Sequence, residues 1–192
     1  MQFKADSIAT LVEAVRSARQ GDSLELEARA LPDWRAGLCD GGWLLTDGQA
    51  SVALGTDGAA RCRLMMDGRR YLLVGENGYA SVQAAIDAAA GGETLLVAPG
   101  TYGEGRAFNG EELGEGAASG DSLGLLINKP LCLQGVTETG QWVTDCDDIT
   151  AAILALHESS DGVSVLVAAA GVNIRGLGIV PAGASWGSAP RA

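Results

Sequence analysis

The stretch YASVQAAIDAAAGGETLLVAPGTYGE (79–104), followed after a Gly/Glu-rich insert by LLINKPLCLQG (125–135), decides how this chain folds. Val82, Ala85, Ile86 and Ala89 recur at i, i+3, i+4 and i+7, the spacing that lays one apolar stripe along a helix. Ser81 supplies an N-cap oxygen, Gly91-Gly92 ends the helix, and a helix of about 9–10 residues needs both that cap and a surface to lie on. The surface comes next. Residues 94–98, TLLVA, form a short apolar run with β-forming residues, closed by Pro99-Gly100, which predicts a buried strand and a tight turn. In 125–135 two further strands flank Asn128-Lys129-Pro130, and alternation turns Leu131 and Leu133 inward and Cys132 outward.

Together the SVQAAIDAAAGG helix (81–92), the strand ending in APGTY (98–102) and the LxIxKPLxLxG pattern (125–135) resemble the opening of a right-handed parallel β-helix of the pectin-lyase-like superfamily. The resemblance covers residues 79 to about 179. It implies that the helix caps the N-terminal end of a solenoid and that the following strands are its first rungs. It does not imply an activity, because the same opening precedes lyases, hydrolases, esterases, epimerases and non-enzymatic adhesins.

Upstream, residues 9–26 (ATLVEAVRSARQGDSLEL) align without gaps on residues 80–97 (ASVQAAIDAAAGGETLLV) at an offset of 80 − 9 = 71. Ala9, Ala14, Ala18, Gly21 and Leu24 match identities in the second copy, so the helix, Gly-acid turn and strand unit is an internal repeat. Leu11, Val15 and Ala18 are its buried stripe. We expect the repeat to share the local fold of the second copy but not its environment, since the residues after the two copies differ. Asp47-Gly48, Asp57-Gly58 and Asp67-Gly68 fall ten residues apart between short apolar segments, a pattern of antiparallel hairpins.

Beyond Tyr102 lies a Gly/Glu-rich loop of about 20 residues, long enough to be functional or mobile. Residues 151–156, 163–169 and 172–179 are further strands, nearly continuous in apolar character as suits parallel strands buried on more than one side. The expected fold is therefore mainly β: residues 79–192 are the N-terminal cap and first rungs of a right-handed parallel β-helix. Residues 1–78 form a small α/β region with Asp-Gly hairpins and the divergent helix-strand repeat.

The 192 residues include 28 glycines and only 5 prolines, too glycine-rich for a helical bundle and suited to frequent turns. A formal net charge of −11 makes nucleic acid an improbable partner. The N-terminus has no apolar h-region and no uninterrupted apolar stretch reaches the about 18 residues of a membrane span, which leaves a cytoplasmic site, a chain trimmed at its start, or export to the cell surface or outside by a route without an N-terminal signal peptide. Cys39, Cys62, Cys132 and Cys146 lack zinc-type spacing and read as free thiols before disulfides.

For chemistry, Asp145, Asp147 and Asp148 offer the oxygen-rich set that a calcium ion takes; the alternative is an exposed acidic turn. No other cofactor is expected. Glu104, Glu111, Glu112 and Glu115 read as solvated charges, for paired acid-base work needs two carboxyls held about 5–10 Å apart. His157, the one histidine, reads as a turn residue. Arg175 points outward with Asn173, and Trp34, Trp43, Trp142 and Trp186 could either stack on sugar rings or pack as caps and core. No P-loop, dinucleotide fingerprint, zincin motif or nucleophile elbow is present. No catalytic residue is assigned.

The expected function is thus a non-catalytic, glycan-associated scaffold module of a secreted or surface protein. The other reading is the N-terminal part of a polysaccharide-active enzyme whose catalytic rungs lie elsewhere. Its partners would be a polysaccharide, the remainder of a longer β-helix chain, or a second copy associating end to end.

Overall fold

The computed structural model describes residues 1–55, 59–107, 122–144, 152–156 and 165–181. Among them the chain is mainly β, with two α-helices. Strand β1 (Gln2–Ala5), helix α1 (Ile8–Ser17) and strand β2 (Ser23–Leu26) form a β-α-β unit whose strands pair in parallel. Next, β3 (Arg35–Cys39), β4 (Gly42–Thr46) and β5 (Ser51–Ala53) make a small antiparallel sheet of their own. Strand β6 (Arg63–Met66) then pairs in parallel with β2 and turns back into β7 (Arg69–Val74). Helix α2 (Val82–Ala88) comes after it and leads to β8 (Glu93–Val97), parallel to β7.

The rest of the chain is strands. They are β9 (Gly100–Glu104), β10 (Arg106–Ala107), β11 (Ser122–Leu123), β12 (Leu125–Ile127), β13 (Leu131–Gly135), β14 (Ala152–Leu156), β15 (Val165–Val167), β16 (Asn173–Arg175) and β17 (Gly178–Pro181). Except for the β10–β11 pair, all their ladders are parallel: β8-β13-β16, β9-β14-β17 and β12-β15. The principal sheet has the order β1-β2-β6-β7-β8-β13-β16 and crosses residue 78 without a break.

The repeat seen in the sequence is a structural one. Helices α1 and α2 end at Ser17 and Ala88, aligned positions, and the amides of Ala18 and Ala89 close the last turn on Ala14 and Ala85. Gly21 and Gly92 both take φ near the left-handed region, 87° and 72°, where a side chain would be strained. Even the turn's side-chain bond recurs. The Arg19 amide donates to Asp22 Oδ2 at 2.9 Å, and the aligned Ala90 amide donates to Glu93 Oε2 at 2.7 Å. Helix α1 is one turn longer at its start, because Ser7 and Thr10 form a capping box ahead of the position that Ser81 caps in α2.

The first copy shares the second's sheet but, as expected, not its surroundings. Both copies feed one sheet. Strands β1, β2 and β6 are parallel, as are β7, β8 and β13, and the two sets run opposite ways because β6 and β7 are antiparallel. The copies also lie on opposite faces. Leu11 and Ala14 of α1 share a core with Leu73 and Leu96, whereas Val82 and Ile86 of α2 share the other core with Leu72, Val74, Leu95 and Val97. Strand direction and helix face reverse together, so both crossovers have the same hand, as the strong right-handed preference of β-α-β units requires. Burial on both faces also accounts for the unbroken apolar run in β8.

Hairpin chemistry differs in place from the ten-residue spacing. Asp67-Gly68 is a two-residue turn with both φ positive, 50° and 71°, and so is Asp40-Gly41, with 51° and 82°. At Asp47 the carboxylate accepts the amides of Gln49 and Ala50. Asp57-Gly58 lies outside the described residues. The single strand expected over 172–179 is two, β16 and β17, parted at Gly176, whose φ is 62°.

Candidate functional site

Among the described residues, a cleft of 260 Å³ lies where four separate pieces of chain meet. Trp34, Arg35 and Ala36 enter from the start of β3, Met66 and Asp67 from the β6–β7 turn, Tyr71 and Leu96 from the sheet, and Gly140, Gln141 and Trp142 from the excursion after β13. That excursion is held at both ends. Val136 bridges Trp142, the Thr137 amide donates to Gln141 O at 2.8 Å, and buried Gln134 donates through Nε2 to Val143 O at 3.2 Å. Gly140 then lies against Gly37, where a Cβ would stand 2.6 Å from the Gly37 Cα, so only glycine lets the two backbones meet.

Chemically the cleft is aromatic with a polar rim. Trp34 and Tyr71 are 6% and 8% exposed and form its floor, while Trp142 is 41% exposed. Arg35 and Asp67, both exposed, set one cation against one anion. Among the described residues Asp67 is the one carboxylate lining it, whereas acid-base work on a glycosidic bond takes two. No family model, curated protein or solved structure matches the chain. Its chemistry therefore rests on these residues alone.

Of the four tryptophans, Trp34 and Trp142 are brought together here, Trp43 is a core residue donating to Val74 O at 3.2 Å, and Trp186 lies outside the described residues. Asp145, Asp147 and Asp148 also lie outside the described residues, as do His157, Glu111, Glu112 and Glu115. Among the described residues no group of carboxylates, cysteines or histidines is placed to hold a metal ion. Arg175 and Asn173 are exposed, as alternation predicts, and half-buried Cys132 pairs with Asn173 in register. Cys39 and Cys132 carry free thiols.

Glu104 corrects the sequence reading. Rather than a solvated loop charge it is 3% exposed, at the end of β9, and its two oxygens accept the amides of Val82 (2.5 Å) and Gln83 (3.2 Å). These are orphan donors of the first turn of α2, left free by Ser81, whose hydroxyl accepts the Ala84 amide. At the other end of α2, Lys129 Nζ donates to the carbonyls of Ile86, Asp87 and Ala89 at 2.8–2.9 Å. Gln83, also buried, bonds both the amide and the carbonyl of Leu126. The helix is thus clamped by side chains and backbone of the strands around it, a structural role.

Burial is the main influence on the Glu104 carboxyl and pushes its pKa above the ordinary 4.5; the Val82 and Gln83 amides act against this, and Asp87 adds to it. The folded state therefore holds this proton more tightly than the unfolded chain. The stability it contributes is fully present below about pH 4.5 and is lost as pH rises through the raised folded-state pKa. Glu104→Gln, which cannot ionise, should gain stability relative to wild type as pH rises above about 4.5 in urea titrations. A difference that shrinks over that rise would show the two amides, rather than burial, to dominate.

Proposed function

We propose that the chain is a non-catalytic, glycan-associated scaffold module, the N-terminal cap and first rungs of a parallel β-helix of the pectin-lyase-like kind, in a secreted or surface protein. The observation that carries the scaffold reading is the parallel stacking of strands in three separate ladders directly after the clamped helix α2. Leu95 and Leu133 face each other in register and are fully buried, which is how successive rungs fill a solenoid. The outer edges of β15, β16 and β17 have no partner among the described residues, which suits stacking against the remainder of a longer β-helix or a second copy. No described helix is long and apolar enough to cross a membrane. Glycan association rests on the aromatic cleft, and the non-catalytic reading is supported by the one carboxylate that lines it among the described residues.

The test is to measure retention of the chain on insoluble glycans alongside lyase, hydrolase and esterase turnover on neutral and anionic glycans, with and without millimolar calcium. Retention without turnover is expected. Turnover that disappears in Arg175→Ala or Asp147→Ala would favour the alternative, an enzyme of polysaccharides. Calcium-dependent retention lost in Asp147→Ala would place an ion at Asp145, Asp147 and Asp148.

A further inference from the structure

Two largely buried side chains that line the cleft have polar groups without a protein partner. The Tyr71 hydroxyl and the Trp34 indole N–H belong to side chains more than nine-tenths buried, and among the described residues neither makes a hydrogen bond. Buried polar atoms left unpaired destabilise a fold, and native structures seldom keep them without a ligand or an ordered water to satisfy them. Both line the same cleft as Trp142, the only large aromatic side chain that is exposed among the described residues. Apolar rings beside unsatisfied hydrogen-bonding groups call for a ligand with both an apolar face and hydroxyls.

We propose that this cleft is the subsite for one neutral pyranose ring of a glycan, its C–H face stacked on the Trp142 indole and its hydroxyls bonded to the Tyr71 hydroxyl, the Trp34 N–H, Arg35, Asp67 and Gln141. This rests on the glycan-associated reading above and adds the position and the ligand class. Size limits the ligand to about one ring, since 260 Å³ lies below the ~300–1,000 Å³ of pockets that enclose drug-sized molecules. Charge selects a neutral sugar. Arg35 and Asp67 cancel within the cleft, and a chain of net charge −11 repels a uronate chain or a nucleotide phosphate. Donor and acceptor together suit hydroxyls, which both give and accept hydrogen bonds.

The experiment titrates the full chain with neutral gluco-, galacto- and manno-oligosaccharides, with galacturonate oligomers and with adenosine, following tryptophan fluorescence and heat. Trp142→Ala and Tyr71→Phe are compared with wild type, and retention on insoluble glycans is measured in parallel. Binding of a neutral oligosaccharide is expected, weakened about tenfold or more in Trp142→Ala. In Tyr71→Phe binding should weaken while the melting temperature holds or rises, because an unpaired hydroxyl is removed. Wild type and Trp142→Ala retained equally on a glycan would overturn the subsite and leave the glycan-associated role standing. Failure of wild type to hold any carbohydrate would overturn both. A preference for galacturonate or adenosine would overturn the neutral-sugar assignment. A lowered melting temperature in Tyr71→Phe with unchanged binding would show the hydroxyl to be satisfied within the fold and also count against the subsite.

Discussion

Ile86→Asp should lower the stability of the chain by about 3–5 kcal/mol, enough to unfold most of it under conditions where wild type is folded. Ile86 is fully buried beneath α2, in the core shared by Leu72, Leu95, Leu125 and Leu133. A carboxylate there loses its water and enters an apolar core built from four strands, β7, β8, β12 and β13. The helix cannot roll away to expose it, for Glu104 holds its first turn, Lys129 its last and Gln83 its flank. Ala84→Asp, exposed on the same helix, is the control and should change stability by no more than about 0.5 kcal/mol. Equal urea midpoints for the two variants would mean that α2 does not cover the core.

Gly135→Ala should be comparably severe by a different route. A Cβ at Gly135 would fall 1.8 Å from the carbonyl oxygen of Gly176 and 2.7 Å from its carbon, and neither atom is a movable side chain. To relieve the overlap, β13 and β16 must separate, breaking the ladder that pairs Cys132, Leu133 and Gln134 with Asn173, Ile174 and Arg175. The cost should reach or exceed about 3 kcal/mol, the upper part of the range for overpacked sites. Gly68→Ala isolates the backbone component, since Gly68 has φ 71° but nothing within 4 Å of the added methyl. It should cost about 1–2 kcal/mol. Hydrogen exchange at 173–175 should accelerate in Gly135→Ala and stay unchanged in Gly68→Ala, and protection retained in both would contradict the contact.

Local order was readable where neighbours in sequence decide it. The stripe Val82, Ala85, Ile86 and Ala89, the Ser81 cap and the inward Leu131 and Leu133 depend on periodicity, and all are as read. The offset of 71 could be read as well, down to the aligned helix ends. What escaped were contacts made across distance. Glu104 looks solvated because glycines surround it in the chain, and only folding carries the amides of Val82 and Gln83, some twenty positions back, onto its oxygens. β1 escaped because QFKA is too short to show alternation until β2 pairs with it. The cleft was invisible for the same reason: its rings come from positions 34, 71 and 142, and no spacing links them.

The reversal between the two β-α-β units has a consequence for symmetry. Turning the first unit by a half-rotation about the line that runs across the strands reverses their direction and exchanges the faces of the sheet. Sliding it along that same line then brings β1-β2-β6 onto β7-β8-β13. This operation is a two-fold screw, and a screw never returns to its starting point. A duplication joined in this way cannot satisfy both of its borders internally, unlike one related by a pure rotation, which can close. Among the described residues the sheet accordingly has two unlike borders, β1 running one way at one edge and β16 the opposite way at the other.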